Sequence, residues 1–172
     1  MHRVAAGTCL IAFTALGGCQ SAPKPLTDAD RATARTMDSA YSAAVAAGDV
    51  DGMMAGYAPD VIMQGPGMPS VRGVDRIRAM MQGMSGQKYT LNLTQETADG
   101  MGDIMYTTGS YRYQGMATAS GPGATEDGKY LEVFRRGADG KWKLVAESWN
   151  ANAPPAAAAP AAPAKPAAHH AR

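Results

Sequence analysis

The first pattern along the chain is an almost unbroken apolar run over residues 4–16. It falls short of the roughly 20 apolar residues that carry a helix across a bilayer. After a short polar stretch the period becomes helical: Met37, Tyr41 and Val45 recur at i, i+4 and i+8 behind Thr27-Asp28-Ala29-Asp30, and the stripe stops at Gly48. A capping hydroxyl with acids in the first turn predicts one long amphipathic helix. Asp49 caps a second, shorter helix expected to run through Tyr57 to a stop at Pro59, and residues 60–64 read as a strand. Val74, Ile77, Met81 and Met84 mark one face of a third helix over residues 73–84.

Beyond Gly86 the period drops to two. Tyr89, Leu91 and Leu93 alternate with Thr90, Asn92 and Thr94, and further strands are expected over residues 104–113, 129–136 and 141–149. Asp99-Gly100 with Gly102, Gly121-Pro122-Gly123 and Ala138-Asp139-Gly140 supply the turns between them. Strands joined in succession by hairpins are antiparallel. The order α-α-β-α-β-β-β-β, with three helices segregated against one curved antiparallel sheet, predicts an α+β fold. A sheet wrapped around a long helix is expected to leave a cavity at its open end.

The two ends carry different information. Met1-His2-Arg3 before the apolar run and Leu16-Gly17-Gly18-Cys19 after it mark residues 1–18 as an export signal, ending in a sequence that resembles the lipobox of bacterial lipoproteins. Cys19 is then the lipidation site, residues 19–25 a tether, and the expected location the cell envelope. Gln20 after the cysteine points to the periplasmic face of the outer membrane. Each buried acyl CH2 contributes roughly 0.8 kcal/mol, so several chains hold firmly. Residues 151–172 contain twelve Ala and five Pro and read as a disordered tail. The domain lies between, over residues 26–152.

Composition then excludes several chemistries. Cys9 falls in the removed segment and Cys19 carries lipid, which leaves no thiol for a disulfide, a nucleophile or a zinc site. His2, His169 and His170 all lie outside the domain, so imidazole acid/base and His-metal chemistry are absent from it. No cofactor and no metal are expected; the eleven domain methionines are read as gap fillers for a core with a single Phe, in preference to a Cu(I) site. Sixteen Lys plus Arg against fifteen Asp plus Glu include no basic block, and nucleic acid is not an expected partner. Neither Gly-Pro-Gly turn is followed by the Lys-Ser or Lys-Thr of a phosphate cradle.

Several words of the sequence are familiar. Ala47-Gly48-Asp49-Val50-Asp51-Gly52, Tyr57-Ala58-Pro59-Asp60-Val61, Arg72-Gly73 ahead of Ile77, and Asp139-Gly140-Lys141-Trp142 before Trp149-Asn150 together resemble the SnoaL-like and ketosteroid-isomerase-like branch of the nuclear transport factor 2-like superfamily. The resemblance covers nearly all of residues 26–152 and implies a cone-shaped sheet. That scaffold hosts isomerases, cyclases, dehydratases, epoxide hydrolases and plain binding proteins.

Carried over position by position, the resemblance implies that Tyr41, seven residues before Gly48, and Glu132, eight before Gly140, are donors to a developing oxyanion. The position of the base falls on Gly65, ahead of Pro66, and neither glycine nor the neutral amide of Gln64 takes a proton. Catalytic candidates are Tyr41, Glu132 and Glu147; a ligand pocket is expected from Tyr41, Tyr57, Met63, Tyr106, Glu132 and Trp149, with Tyr111 and Tyr113 as further wall candidates. Asp60 is expected to fix the turn between helix and strand.

The function expected is therefore binding of a small, mostly apolar or carbonyl-bearing molecule, without a requirement for catalysis, in a homodimer paired through the outer sheet face. Two alternatives stand beside it. One is an isomerase or hydro-lyase using Glu132 or Glu147 with Tyr41; the other is an interaction module whose hollow is filled by methionine.

Overall fold

The computed structural model describes residues 22–84, 88–117 and 121–153. The expected export signal, the lipidation site Cys19 and the tail beyond residue 153 lie outside the described residues. Among the described residues no helix is long and apolar enough to cross a membrane.

Helix α1 spans Asp28–Ala47. Its start is fixed by a capping box: Asp30 N–H donates to Thr27 Oγ1 at 3.2 Å while Thr27 N–H donates to Asp30 Oδ2 at 2.9 Å. Such a cap contributes about 1 kcal/mol. The helix ends where Gly48 takes φ 68°, a left-handed conformation that costs glycine nothing. Its buried stripe is Asp30, Ala34, Asp38, Ala44 and Val45.

The second helix is shorter than expected. α2 covers Val50–Met54 only, and strand β1 begins at once with Tyr57–Gln64. Gly52 and Gly56 flank its second half and weaken a continuation. Tyr57 and Ala58 are buried as strand residues instead. Pro59 is tolerated there because the pairing of β1 slips between Tyr57 and Ile62, a place where a missing N–H breaks no ladder bond. A two-residue strand β2, Val71–Arg72, pairs with β1, and α3 follows as Val74–Met84.

Four long strands complete the chain: β3 Tyr89–Met101, β4 Ile104–Gly115, β5 Thr125–Arg136 and β6 Trp142–Ala151. The sheet order is β2-β1-β6-β5-β4-β3. β3 to β6 are antiparallel neighbours, but β1 lies parallel to β6, so the sheet is mixed rather than wholly antiparallel. Hairpin logic could not see this pair, because its strands are far apart in sequence and joined by no turn. Asp99-Gly100 sits inside β3 rather than in the turn, which tightens instead at Gly102, φ 64°.

Phe134, Met63, Ile77, Met105, Val61 and Thr107 are fully enclosed between the helices and the inner sheet face. Each large apolar side chain so buried contributes roughly 1.5–3 kcal/mol. At the far end Trp142 Nε1 donates to Asp30 Oδ1 at 3.0 Å, and the Arg136 guanidinium lies 4.3 Å from the Trp142 ring centre. The last strand is thereby pinned to the first turn of α1.

Candidate functional site

One row of residues crosses the inner face of the sheet: Thr107 on β4 is paired with Glu132 on β5, Glu132 with Glu147 on β6, and Glu147 with Met63 on β1. Two acids directly opposite on neighbouring strands repel when both are charged. The row therefore holds protons.

Glu132 is 8% exposed and accepts a hydrogen bond from Thr107 Oγ1 at 2.9 Å. Burial, helped by the nearby charges of Asp38 and Glu147, pushes its carboxyl up to about 8. Glu147 accepts from the Tyr57 hydroxyl at 3.0 Å, and burial pushes it up to about 7. Tyr41 reaches the same region from α1, with its ring tilted against Tyr57 at a centroid distance of 6.1 Å. Burial first, then the Glu147 charge, raise the Tyr41 phenol far above its ordinary range, so it is a neutral donor. The site thus combines proton donors with one carboxyl, Glu147, that is substantially ionised at neutral pH.

Asp38 is the residue that sequence reasoning missed. It is buried on α1, accepts from the Tyr130 hydroxyl at 3.0 Å, and lines the same chamber as Glu132. Burial raises its carboxyl. The signal was present: Asp30, Ala34, Asp38 and Val45 lie at helical spacing beside the Met37, Tyr41, Val45 stripe, which puts an acid on the inward face. The base position of the resemblance falls on Gly65, yet two other carboxyls, Asp38 and Glu147, stand beside Glu132, and of these the sequence had pointed to Glu147 alone.

Two chambers meet at this cluster. The front chamber, of about 330 Å3, has the thioethers of Met63, Met68, Met80, Met81 and Met84 on one side and Tyr89, Leu91, Leu93, Tyr111 and Tyr113 of β3 and β4 on the other. Trp149 closes one end, and Tyr41, Glu132 and Glu147 collect at its floor. Tyr111 at the wall donates to Glu126 at 2.6 Å. The rear chamber, of about 530 Å3, opens between α1, α2 and the β5–β6 hairpin, and it too reaches Tyr41 and Glu132.

The remaining expected residues divide. Met63, Glu132, Tyr41 and Trp149 line the front chamber, while Tyr57 lines the rear one and reaches the front floor only through Glu147. Tyr106 is not a pocket residue: it is 39% exposed on the outer face, because its neighbours Met105 and Thr107 take the inward positions of the alternation. Asp60 does not fix a turn; it lies within β1 and pairs with Arg135 of β5 at 2.9 Å, across the intervening β6. Arg135 holds it below the usual carboxylate range. At Gly65 a β-carbon would stand 2.7 Å from the Trp149 ring and 2.8 Å from Met68 Sδ. The place where the family resemblance puts a base is filled by an indole.

The model of a family described as SnoaL-like domain matches residues 39–145. No curated protein sequence matches the chain. Among solved structures, a nuclear transport factor 2-like superfamily protein from Salmonella enterica serovar Typhimurium is 14% identical, covering 75% of this chain and 95% of its own, with a TM-score of 0.66. A ketosteroid isomerase-like protein from Erwinia carotovora atroseptica is 18% identical over 72% and 96%, with a TM-score of 0.62. An NTF2-like protein with a cystatin-like fold from Novosphingobium aromaticivorans is 18% identical over 74% and 85%, with a TM-score of 0.64. Likeness at these identities shows the cone-shaped fold.

Proposed function

The chain belongs to the SnoaL-like domain family, and on that footing we propose that its front chamber binds a small, mostly apolar molecule whose carbonyl oxygen accepts a hydrogen bond from the neutral Glu132 carboxyl. The observation that carries this reading is the lining of the chamber: thioether, aliphatic and aromatic side chains enclose most of about 330 Å3, and Glu132 and Glu147 face each other across adjacent strands on that lining. That volume falls within the span of small-molecule sites, which are apolar hollows with a few placed polar groups. A carboxyl pushed up to about 8 is mostly protonated at neutral pH and donates rather than accepts. Tyr41 supplies a second donor. Native mass spectrometry of the purified protein tests the reading. A retained small molecule, or saturable uptake of 2-acetylnaphthalene, supports it; a protein that carries nothing and takes up no such probe contradicts it.

A second reading, an isomerase or hydro-lyase, is favoured by the cross-strand pairing of Glu132 with Glu147. Glu147, near 7, is available as a base, while Glu132, near 8, keeps its proton as an acid. In such a step the Glu147 carboxylate takes a proton from the carbon next to a carbonyl, the C–H electron pair becomes the enol double bond, and Glu132 protonates the oxygen. Deuterium incorporation at that carbon in D2O, lost in Glu147→Gln, is the expected sign; incorporation no faster than in buffer contradicts it.

The proposal extends to the setting. The protein is exported and held through lipid on Cys19 at the periplasmic face of the outer membrane, as supported by Leu16-Gly17-Gly18-Cys19. It pairs with a second copy through the outer sheet face, as supported by exposed Ile104, Tyr106 and Leu131. Cys19→Ser is expected to release it from the membrane fraction, and retention there contradicts the anchoring.

A further inference from the structure

The two chambers share Tyr41 and Glu132, but the other carboxyls are divided between them: Asp30 and Asp38 line the rear chamber, Glu126 and Glu147 the front. On the β4 side of Glu132 stands its strand partner Thr107, which is wholly enclosed. Tyr130 on β5 holds Asp38 Oδ2, and the Asp38 carboxyl stands on the same chamber lining as Glu132, whose carboxyl its charge helps to raise. Two neighbouring carboxyls inside a poorly solvated interior cannot both stay charged, so at least one keeps its proton. Exposed Thr33 and Ala40 of α1 stand on the lining of the rear chamber, which therefore reaches solvent. A molecule seated in the front chamber closes the approach to Glu132 from that side and leaves this one.

We infer that the cone has a rear entrance, and that Asp38 is the positioning residue through which protons pass between solvent in the rear chamber and Glu132 while the front chamber is occupied. The transfer balances without a co-reactant. A hydronium ion in the rear chamber gives a proton to one Asp38 oxygen and becomes water, while Asp38 passes the proton on its other oxygen to the Glu132 carboxylate; the reverse order returns the proton to water. The groups facing this path are Asp30 and Tyr41 on α1, Tyr57 on β1, Tyr130 on β5, Glu147 on β6 and Lys141 at the hairpin. The inference rests on the front chamber being a binding site, as proposed above.

The test follows the infrared band of the protonated Glu132 carboxyl, identified by its loss in Glu132→Gln, after mixing the protein from H2O into D2O at pH 6. With 2-acetylnaphthalene saturating the front chamber, native protein is expected to exchange that proton within threefold of its probe-free rate. Thr33→Phe with Ala40→Phe, which fills the rear chamber from two exposed helix positions, is expected to slow exchange at least tenfold with the probe bound and to leave it fast without. Asp38→Asn, which keeps the shape but cannot pass a proton, is expected to do the same. Two outcomes overturn the rear entrance: slowing of native protein by the probe alone to the rate of the variants, or native rates in both variants with the probe bound. Failure of the probe to saturate counts against the binding reading instead. In that case Leu91→Trp fills the front chamber from β3, and the same comparison decides the entrance.

Discussion

The hydroxyl of Tyr57 donates to Glu147 at 3.0 Å across the parallel seam between β1 and β6. The bond joins a residue of the rear chamber to one on the floor of the front chamber. It favours the ionised form of Glu147, against the burial that raises it. Tyr57→Phe is therefore expected to lift the Glu147 carboxyl further above about 7, read as the titration of its side-chain carbon by NMR. An unchanged titration removes Tyr57 from the account of that carboxyl.

Raised carboxyls make the fold sensitive to alkali. Glu132 rises from 4.5 to about 8 and Glu147 from 4.5 to about 7, so the folded state holds their protons more tightly than the unfolded chain does. Their contribution is fully present below pH 4.5 and is lost as the pH climbs through about 7 and about 8, at up to about 1.4 kcal/mol per pH unit for each group. Tm is expected to fall between pH 5 and pH 8.5, and Glu132→Gln to flatten that fall. A native Tm that rises over this range contradicts the assignment.

Asp30 has the opposite sign. The Thr27 backbone N–H, then the Thr27 hydroxyl, Trp142 and Arg136, hold its carboxyl well below the usual range, so its contribution is present above pH 3.8 and is lost as acid protonates it. Asp30→Asn removes half of the capping box and the ion pair with Arg136 at 3.1 Å. A loss of about 2–4 kcal/mol at pH 7, shrinking below pH 3, is expected by denaturant unfolding. Equal losses at both pH values place the effect in packing instead.

Much of this was legible in advance, for reasons visible in particular residues. The helical stripe through Tyr41, the two-residue alternation from Tyr89 onward and the turn glycines placed most elements, because each is a local pattern. Glu132 was legible as an acid between apolar neighbours. What escaped depends on contacts distant in sequence: the parallel pairing of β1 with β6, the facing of Glu132 by Glu147, and the meeting of α1 with β5 that turns Asp38 into a neighbour of Glu132. Tyr106 escaped for a smaller reason, a shift of one in the inward alternation, which sends every second side chain to the other face.

The filled base position has its own consequence. Gly65→Asp sets a β-carbon against the Trp149 ring, 2.7 Å away, and is expected to destabilise the protein by about 1–3 kcal/mol without creating a base. Adding Trp149→Ala makes room and is expected to restore part of that loss in thermal melts. A Gly65→Asp protein with native stability shows that the indole yields easily.

The central claim, an apolar front chamber with a neutral Glu132 carboxyl donating at its floor, is tested most directly by fluorescence titration with 2-acetylnaphthalene at pH 6 and pH 9. One saturable site is expected at pH 6, about tenfold weaker at pH 9, where a carboxyl near 8 is roughly nine-tenths ionised; a weaker pH dependence is expected in Glu132→Gln. No saturable binding at pH 6, or equal affinity at both pH values in the native protein, contradicts it.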